Sequence, residues 1–186
     1  MVLELILGGI ILLGLVFVLW IAFSYNGFVQ LKNRIDNAWS QIDVQLKKRY
    51  DLVPNLMETV KGYAKHEKET FKMVTEARAK AINAQGIEGK AQAENMFSGA
   101  LKSLFAVAEA YPDLKANQNF LMLQEELSGI ESKIAFARQF YNDEVLKYNT
   151  KTEILPDSLI ASLLGFKKRA YFEIEEEARK NVKVQF

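Results

Sequence analysis

The sequence predicts an all-α protein: an N-terminal transmembrane helix followed by an antiparallel up-and-down four-helix bundle with a long first helix. Three observations predict it. Leu5 to Phe23, LILGGIILLGLVFVLWIAF, is an apolar run without a charge. Beyond it, apolar residues recur at spacings of three and four through most of the chain. No segment sustains the two-residue alternation of a half-buried strand, although Val182 to Phe186 suits an extended end. The expected organisation is an anchor over residues 1–24 and a helical bundle over 25–186.

The anchor comes first. At ~1.5 Å per residue its apolar run spans about 28 Å, close to the thickness of a bilayer's hydrocarbon. Trp20 and Tyr25 fall near its end, where rings with a polar handle suit the headgroup level. A cleaved signal peptide fits less well, although Ala22-Phe23-Ser24 loosely has the small-x-small form of a cleavage site. No Lys or Arg precedes the run, and the run is longer than a signal's apolar region. Lys32, Arg34, Lys47, Lys48 and Arg49 follow it, so the bulk of the chain is expected in the cytoplasm, on a single-pass protein of the cell membrane.

The first bundle helix carries Phe28, Leu31, Ile35, Ala38, Ile42, Leu46, Val53, Leu56 and Val60 on one stripe, continuing through Ala64, Phe71 and Val74 toward Ala81. Trp39, Leu46, Tyr50 and Met57 form a second face beside it. Pro54 removes a backbone donor, which predicts a bend or a short interruption there. Lys47 and Lys48 read as solvated, but Arg49 stands where the stripe needs an apolar residue. It either snorkels to water or forms a buried ion pair with Glu125 or Glu131 of the third bundle helix. If residues 26–82 were one helix, it would be ~85 Å long against about 30 Å for the next one. The stripe Phe28, Leu31, Ile35, Ala38 and Ile42 would then lack a partner in the chain, which predicts self-association into a homo-oligomer.

A loop at Asn83 to Lys90 contains Gly86 and Gly89. The second helix is expected from Ala91 to Ala110, with Phe97, Leu101, Leu104, Ala108 and Tyr111 on one face. Pro112 ends it and Asp113 offers a cap. The third holds a coiled-coil-like rhythm from Phe120, Leu123 and Leu127 through Ile130, Ile134, Ala137 and Tyr141 to Val145 and Tyr148. After ILPDS, with Asp157 or Ser158 as cap, a weaker helix carries Leu159, Leu163, Phe166, Ala170 and Phe172, its continuity challenged by Gly165.

The side-chain inventory excludes much chemistry. With no cysteine there is no disulfide, thiol catalysis or thiolate-bound metal. Twenty-four Lys and Arg against 23 Asp and Glu leave no cationic excess for a nucleic-acid backbone. His66 is the one histidine; HEKET starts like a zincin helix, but Thr70 holds the second histidine's place. No Glu-x-x-His pair is available for a di-iron bundle, and no phosphate-binding glycine loop occurs. Glu173 and Glu175 to Glu177 read as a solvated face rather than a calcium loop. Lys167-Lys168-Arg169 also reads as solvated, with anionic lipid as the alternative. No catalytic, metal or cofactor site is expected.

Three stretches carry a resemblance: YNGFVQLKNRIDNAWSQIDVQLKKRYDLVPNLMETVKGYAKHEKETFKMVTEARA, YPDLKANQNFLMLQEELSGIESKIAFARQFYNDEVLKYNTKTEILP and GFKKRAYFE. Together they closely resemble the LemA family of bacterial membrane proteins. The resemblance implies an N-terminal anchor, an antiparallel helical bundle, a short external N-terminus and a cytoplasmic remainder. It carries over no catalytic or ligand-binding residues. The expected function is therefore that of a non-enzymatic, oligomeric membrane scaffold or adaptor, with the lipid bilayer, further copies and other proteins as partners. The alternatives are an enzyme or ligand carrier built around His66, Asp51 and nearby carboxylates, and a lipid-surface or membrane-remodelling protein.

Overall fold

A computed structural model describes residues 1–173. Among the described residues there are helices and no strand: α1 (Val2–Tyr63), α2 (Lys68–Asn83), α3 (Ile87–Glu109), α4 (Pro112–Lys115), α5 (Gln118–Glu153) and α6 (Asp157–Leu164). The possible extended end, Val182 to Phe186, and Glu175 to Glu177 lie outside the described residues.

The apolar run belongs to α1, and the protein leaves it unburied, with large side chains such as Leu13, Phe17 and Phe23 exposed. By length and hydropathy it can cross a membrane.

Pro54 does not interrupt α1. Its ring removes the N–H that would bond the Tyr50 carbonyl, but Arg78 of α2 donates from Nε to that oxygen at 2.8 Å. A hydrogen bond from a charged donor, worth about 1.5–3 kcal/mol, offsets half or more of the ~3 kcal/mol a helical proline costs. The break comes later, at residues 64–67, so residues 26–82 are not one helix. Buried Ala64 still bonds back to the Val60 carbonyl at 2.9 Å, and α2 restarts at Lys68.

The chain divides into two compact units. The first comprises Met1–Ala38 and Phe140–Arg169. Its core includes Phe28, Ile35, Tyr141, Val145, Tyr148 and Ile160. Phe28 stacks on Phe166 at 4.6 Å and meets Tyr148 edge-on at 5.8 Å. α6 stops where Gly165 adopts a left-handed φ of 73°, a turn that glycine makes without Cβ strain. The expected continuation of this helix to Phe172 is thereby corrected. Its N-cap is Pro156, not Asp157 or Ser158, and Asp157 faces other partners. The segment after it is pinned by Asn149, whose amide donates to the Arg169 carbonyl at 3.0 Å and accepts from the Arg169 N–H at 2.8 Å.

The second unit comprises Trp39–Gln139 and Ala170–Phe186, described as far as Glu173. Ile42, Leu46, Val53, Leu56 and Val60 of α1 are buried, as are Val74 of α2, Phe97, Leu101 and Leu104 of α3, and Leu127, Ile130 and Ile134 of α5. α2 packs on α3, turning Phe71, Val74, Ala77 and Ala81 inward. α3 begins earlier than its expected start at Ala91, because Gly86, at φ 71°, turns the chain directly into Ile87. Asp113 is not a cap: Tyr111 takes that place and Pro112 is the first residue of α4. Asn117 Oδ1 accepts from the Phe120 N–H at 3.1 Å and closes the start of α5.

The expectation that the α1 stripe lacks a partner in the chain is also corrected. Phe28, Ile35, Ala38 and Ile42 are buried within the chain and Leu31 is half-buried, so this face is not left uncovered.

Candidate functional site

In the second unit, the α1 stripe that buries Leu46 and Val53 also buries the cation between them, Arg49. Spacings of four, three and four on α3 place Lys90, Glu94, Phe97 and Leu101 on one buried face, so Glu94 is carried inward as well. Glu131 stands on α5 next to buried Ile130. Arg49 Nη2 pairs with Glu94 Oε2, while Nη1 lies 2.5 Å from Glu131 Oε1 and 3.3 Å from Ser98 Oγ. The Tyr50 hydroxyl donates to Glu94 Oε1, so both oxygens of that carboxylate are engaged. The Arg49 guanidinium lies 5.1 Å from the Phe97 ring centroid, and Lys90 Nζ lies 5.5 Å from that of Tyr50.

Burial sets the electrostatics. It pushes the Tyr50 phenol up to about 12, with Arg49 working against the rise and Asp43 adding to it. Burial and then the Arg49 charge lower Arg138, and Glu131 partly restores it. Glu131 therefore answers two guanidiniums. Arg49 Nε, Arg138 Nε and Gln45 Oε1 are enclosed without a hydrogen-bond partner. A buried, multiply paired carboxylate and a phenol kept protonated fasten the helices that carry them.

The first unit holds a shallower cluster. Ser24 Oγ donates to Asp157 Oδ1 at 2.5 Å, and Lys151 Nζ lies 2.7 Å from Asp157 Oδ2. The lysine runs across α1 at Gly27, where an added Cβ would come within 3.1 Å of Lys151 Cε. Its ammonium lies 4.9 Å from the Phe28 ring centroid. Burial acts to raise the Asp157 pKa, but the hydrogen bonds from Lys151 and Ser24, with the lysine charge, outweigh it and hold the carboxyl below its ordinary range.

Of the two carboxylates expected opposite Arg49, the structure brings Glu131 to it and leaves Glu125 exposed, on a shallow groove with Asn119, Met122 and Leu123. Glu94 completes the pair and is not among the expected partners, because a helix start at Ala91 leaves Lys90 in the loop and separates it from Glu94. Reading them as the first turn of the Phe97 stripe would have found it. His66 is exposed at the turn between α1 and α2, and Asp51 is exposed on α1. A surface groove of about 530 Å³ between α2 and α3 is lined by residues such as Glu69, Lys72, Glu76, Met96 and Ser103, and by none of Arg49, Tyr50, Asp51 or His66. Among the described residues no group of three His, Asp or Glu could hold a metal ion.

A family model described as LemA family matches residues 38–186. Protein LemA of Metamycoplasma hominis is 30% identical over 162 residues, which cover 84% of this chain and 72% of that protein. Magnetosome protein MamQ 2 of Paramagnetospirillum magneticum is 25% identical over 183 residues, with 84% of this chain and 67% of the relative covered. Magnetosome protein MamQ of Magnetospirillum gryphiswaldense is 24% identical over 182 residues, with the same coverage. Such relatives and one helix apolar enough to cross a bilayer fit association with a membrane.

Proposed function

The chain belongs to the LemA family, and we propose that it is a single-pass membrane protein acting as a non-enzymatic scaffold or adaptor. One observation carries this reading: in the second unit the buried polar groups Arg49, Glu94 and Tyr50 are committed to one another rather than turned toward a cavity. In this reading α1, α2, α3 and α5 form an antiparallel up-and-down four-helix bundle. Arg49 reaching both α3 and α5 supports it, as does the packing of α2 on α3. The cations after the span favour a cytoplasmic bundle. The magnetosome relatives are named for where they belong rather than for a reaction, which suits a component of an assembly. In this reading, self-association uses a surface other than the α1 stripe, which the chain itself buries.

The test is replacement of the gene in its own cells. His66→Ala and Asp51→Asn should leave cells like the parent, whereas deletion of residues 2–23 should match loss of the gene. A folded, membrane-located His66→Ala or Asp51→Asn chain that fails would overturn the reading and favour a site assembled around those side chains.

A further inference from the structure

α6 and the three residues before it carry an apolar stripe that the protein leaves open. Leu155, Leu159 and Leu163 recur every four residues and are 75%, 61% and 76% exposed, with Ile154 and Leu164 exposed beside them. Ile160 and Ala161 fill the opposite face. Single exposed leucines are ordinary on a protein surface, but a contiguous group is a contact in waiting.

The position of this stripe along α1 says what covers it. Asp157, the first residue of α6, accepts a hydrogen bond from Ser24 at 2.5 Å, and Ser24 immediately follows the apolar run that ends at Phe23. Phe166, just past the other end of α6, lies 6.1 Å from Tyr25 and stacks on Phe28 at 4.6 Å. Both ends of α6 thus reach α1 within about one turn of each other, so α6 crosses α1 rather than running along it. A helix that crosses α1 where α1 leaves the hydrocarbon lies near the membrane plane, at the depth where Trp20 and Tyr25 rings are favoured. Exposed Lys167 follows at the same end, as does Lys168, which pairs with Glu153.

We infer that α6 is a second, monotopic membrane contact, with Leu155, Leu159 and Leu163 dipping into the headgroup and acyl boundary of the leaflet from which α1 emerges, and Lys167 beside the lipid phosphates. The inference rests on the reading of Leu5 to Phe23 as a bilayer span. It adds that the protein grips the bilayer twice, so the first unit is held at the membrane surface and does not swing freely on its anchor.

The cysteine-free chain allows single spin labels to report depth. The full chain would be reconstituted in vesicles of phosphatidylethanolamine and phosphatidylglycerol carrying Ile11→Cys, Leu155→Cys, Leu159→Cys, Leu163→Cys or Ser132→Cys, each nitroxide-labelled. Accessibility would be measured to oxygen, which enters lipid, and to a water-soluble nickel chelate. Labels at 155, 159 and 163 should favour oxygen over nickel several-fold more than the label at 132, approaching the one at 11. Nickel-accessible labels at 155, 159 and 163 beside a lipid-like label at 11 would overturn the inference and leave the span intact. A nickel-accessible label at 11 would overturn both. Shielding of 155, 159 and 163 from both reagents would mean that protein covers the stripe, which also overturns the inference.

Discussion

Two regions of the molecule hold a cation against a carboxylate between helices, and they differ in depth. Around Arg49 the paired side chains retain 2% and, at Glu94, 4% of their exposure; around Lys151 the figures are 19% and, at Asp157, 18%. A partly wet pair is screened by solvent and contributes little net stability. The deep pair gives up the solvation of both ions, and its attraction together with the bonds to Tyr50, Ser98 and Glu131 must replace what water supplied. The two clusters therefore look alike in a list of ion pairs and differ in what their loss does. Removing a partner from the shallow cluster returns the other to water, whereas removing one from the deep cluster strands a charge.

Glu94→Ala puts the largest strain on that comparison. It leaves Arg49 with Glu131 as its one carboxylate and Ser98 beside it, and should destabilise the protein by about 3–5 kcal/mol. For a chain of this size that is a fall of roughly 10 °C or more in the Tm of the detergent-solubilised protein. A loss below about 1 kcal/mol would mean that depth does not separate the clusters. Tyr50→Phe should cost about 1.5–3 kcal/mol, because it removes a hydrogen bond to a buried carboxylate. It also tests linkage. A phenol raised from 10.0 to about 12 contributes stability that is fully present below pH 10 and lost as the pH rises through 12. Alkaline melts of the parent should show that loss, and those of Tyr50→Phe a smaller one, because burial also raises Tyr141 and Tyr148.

In the shallow cluster, Asp157→Asn should cost about 1 kcal/mol at neutral pH. The Asp157 carboxyl is held below its ordinary 3.8, so its contribution is present above that pH and disappears as the pH falls through the lowered value. Parent and Asp157→Asn melts should accordingly differ at neutral pH and converge in strong acid. The smallest effect belongs to Glu125→Ala, within about 0.5 kcal/mol, as expected for an exposed side chain outside the network. A Glu131→Ala loss no larger than that of Glu125→Ala would remove α5 from the account.

Much of this was legible in the sequence. The three-four spacing located α3, α5 and the buried stripe of α1, because helical period and core burial are the same fact seen twice. Arg49 was conspicuous as the cation on that stripe, and Glu131 was among its expected partners. The break at residues 64–67 was not legible. No proline marks it, and the proline that is present, Pro54, sits in an unbroken helix because a distant arginine answers the carbonyl it leaves unbonded. That compensation is tertiary and has no local signature. Glu94 was hidden by a misplaced boundary, since starting the helix at Ala91 removed Lys90 from the stripe to which both residues belong. The expected exposure of Phe28 to Ile42 failed for a related reason: it treated residues 26–82 as one rod and overlooked how far the C-terminal part of α5, with Phe166, covers α1 in the first unit.

The central claim is that the Arg49 network fastens helices and performs no chemistry. Arg49→Met combined with Glu94→Leu tests it most directly, measured by thermal unfolding of the full chain and by complementation in the same cells. The account predicts that the double variant recovers most of the stability lost by either single change, since no buried charge is left stranded, and that it still complements. A double variant as stable as the parent that fails to complement would contradict it, because the charges themselves would then be what the protein uses.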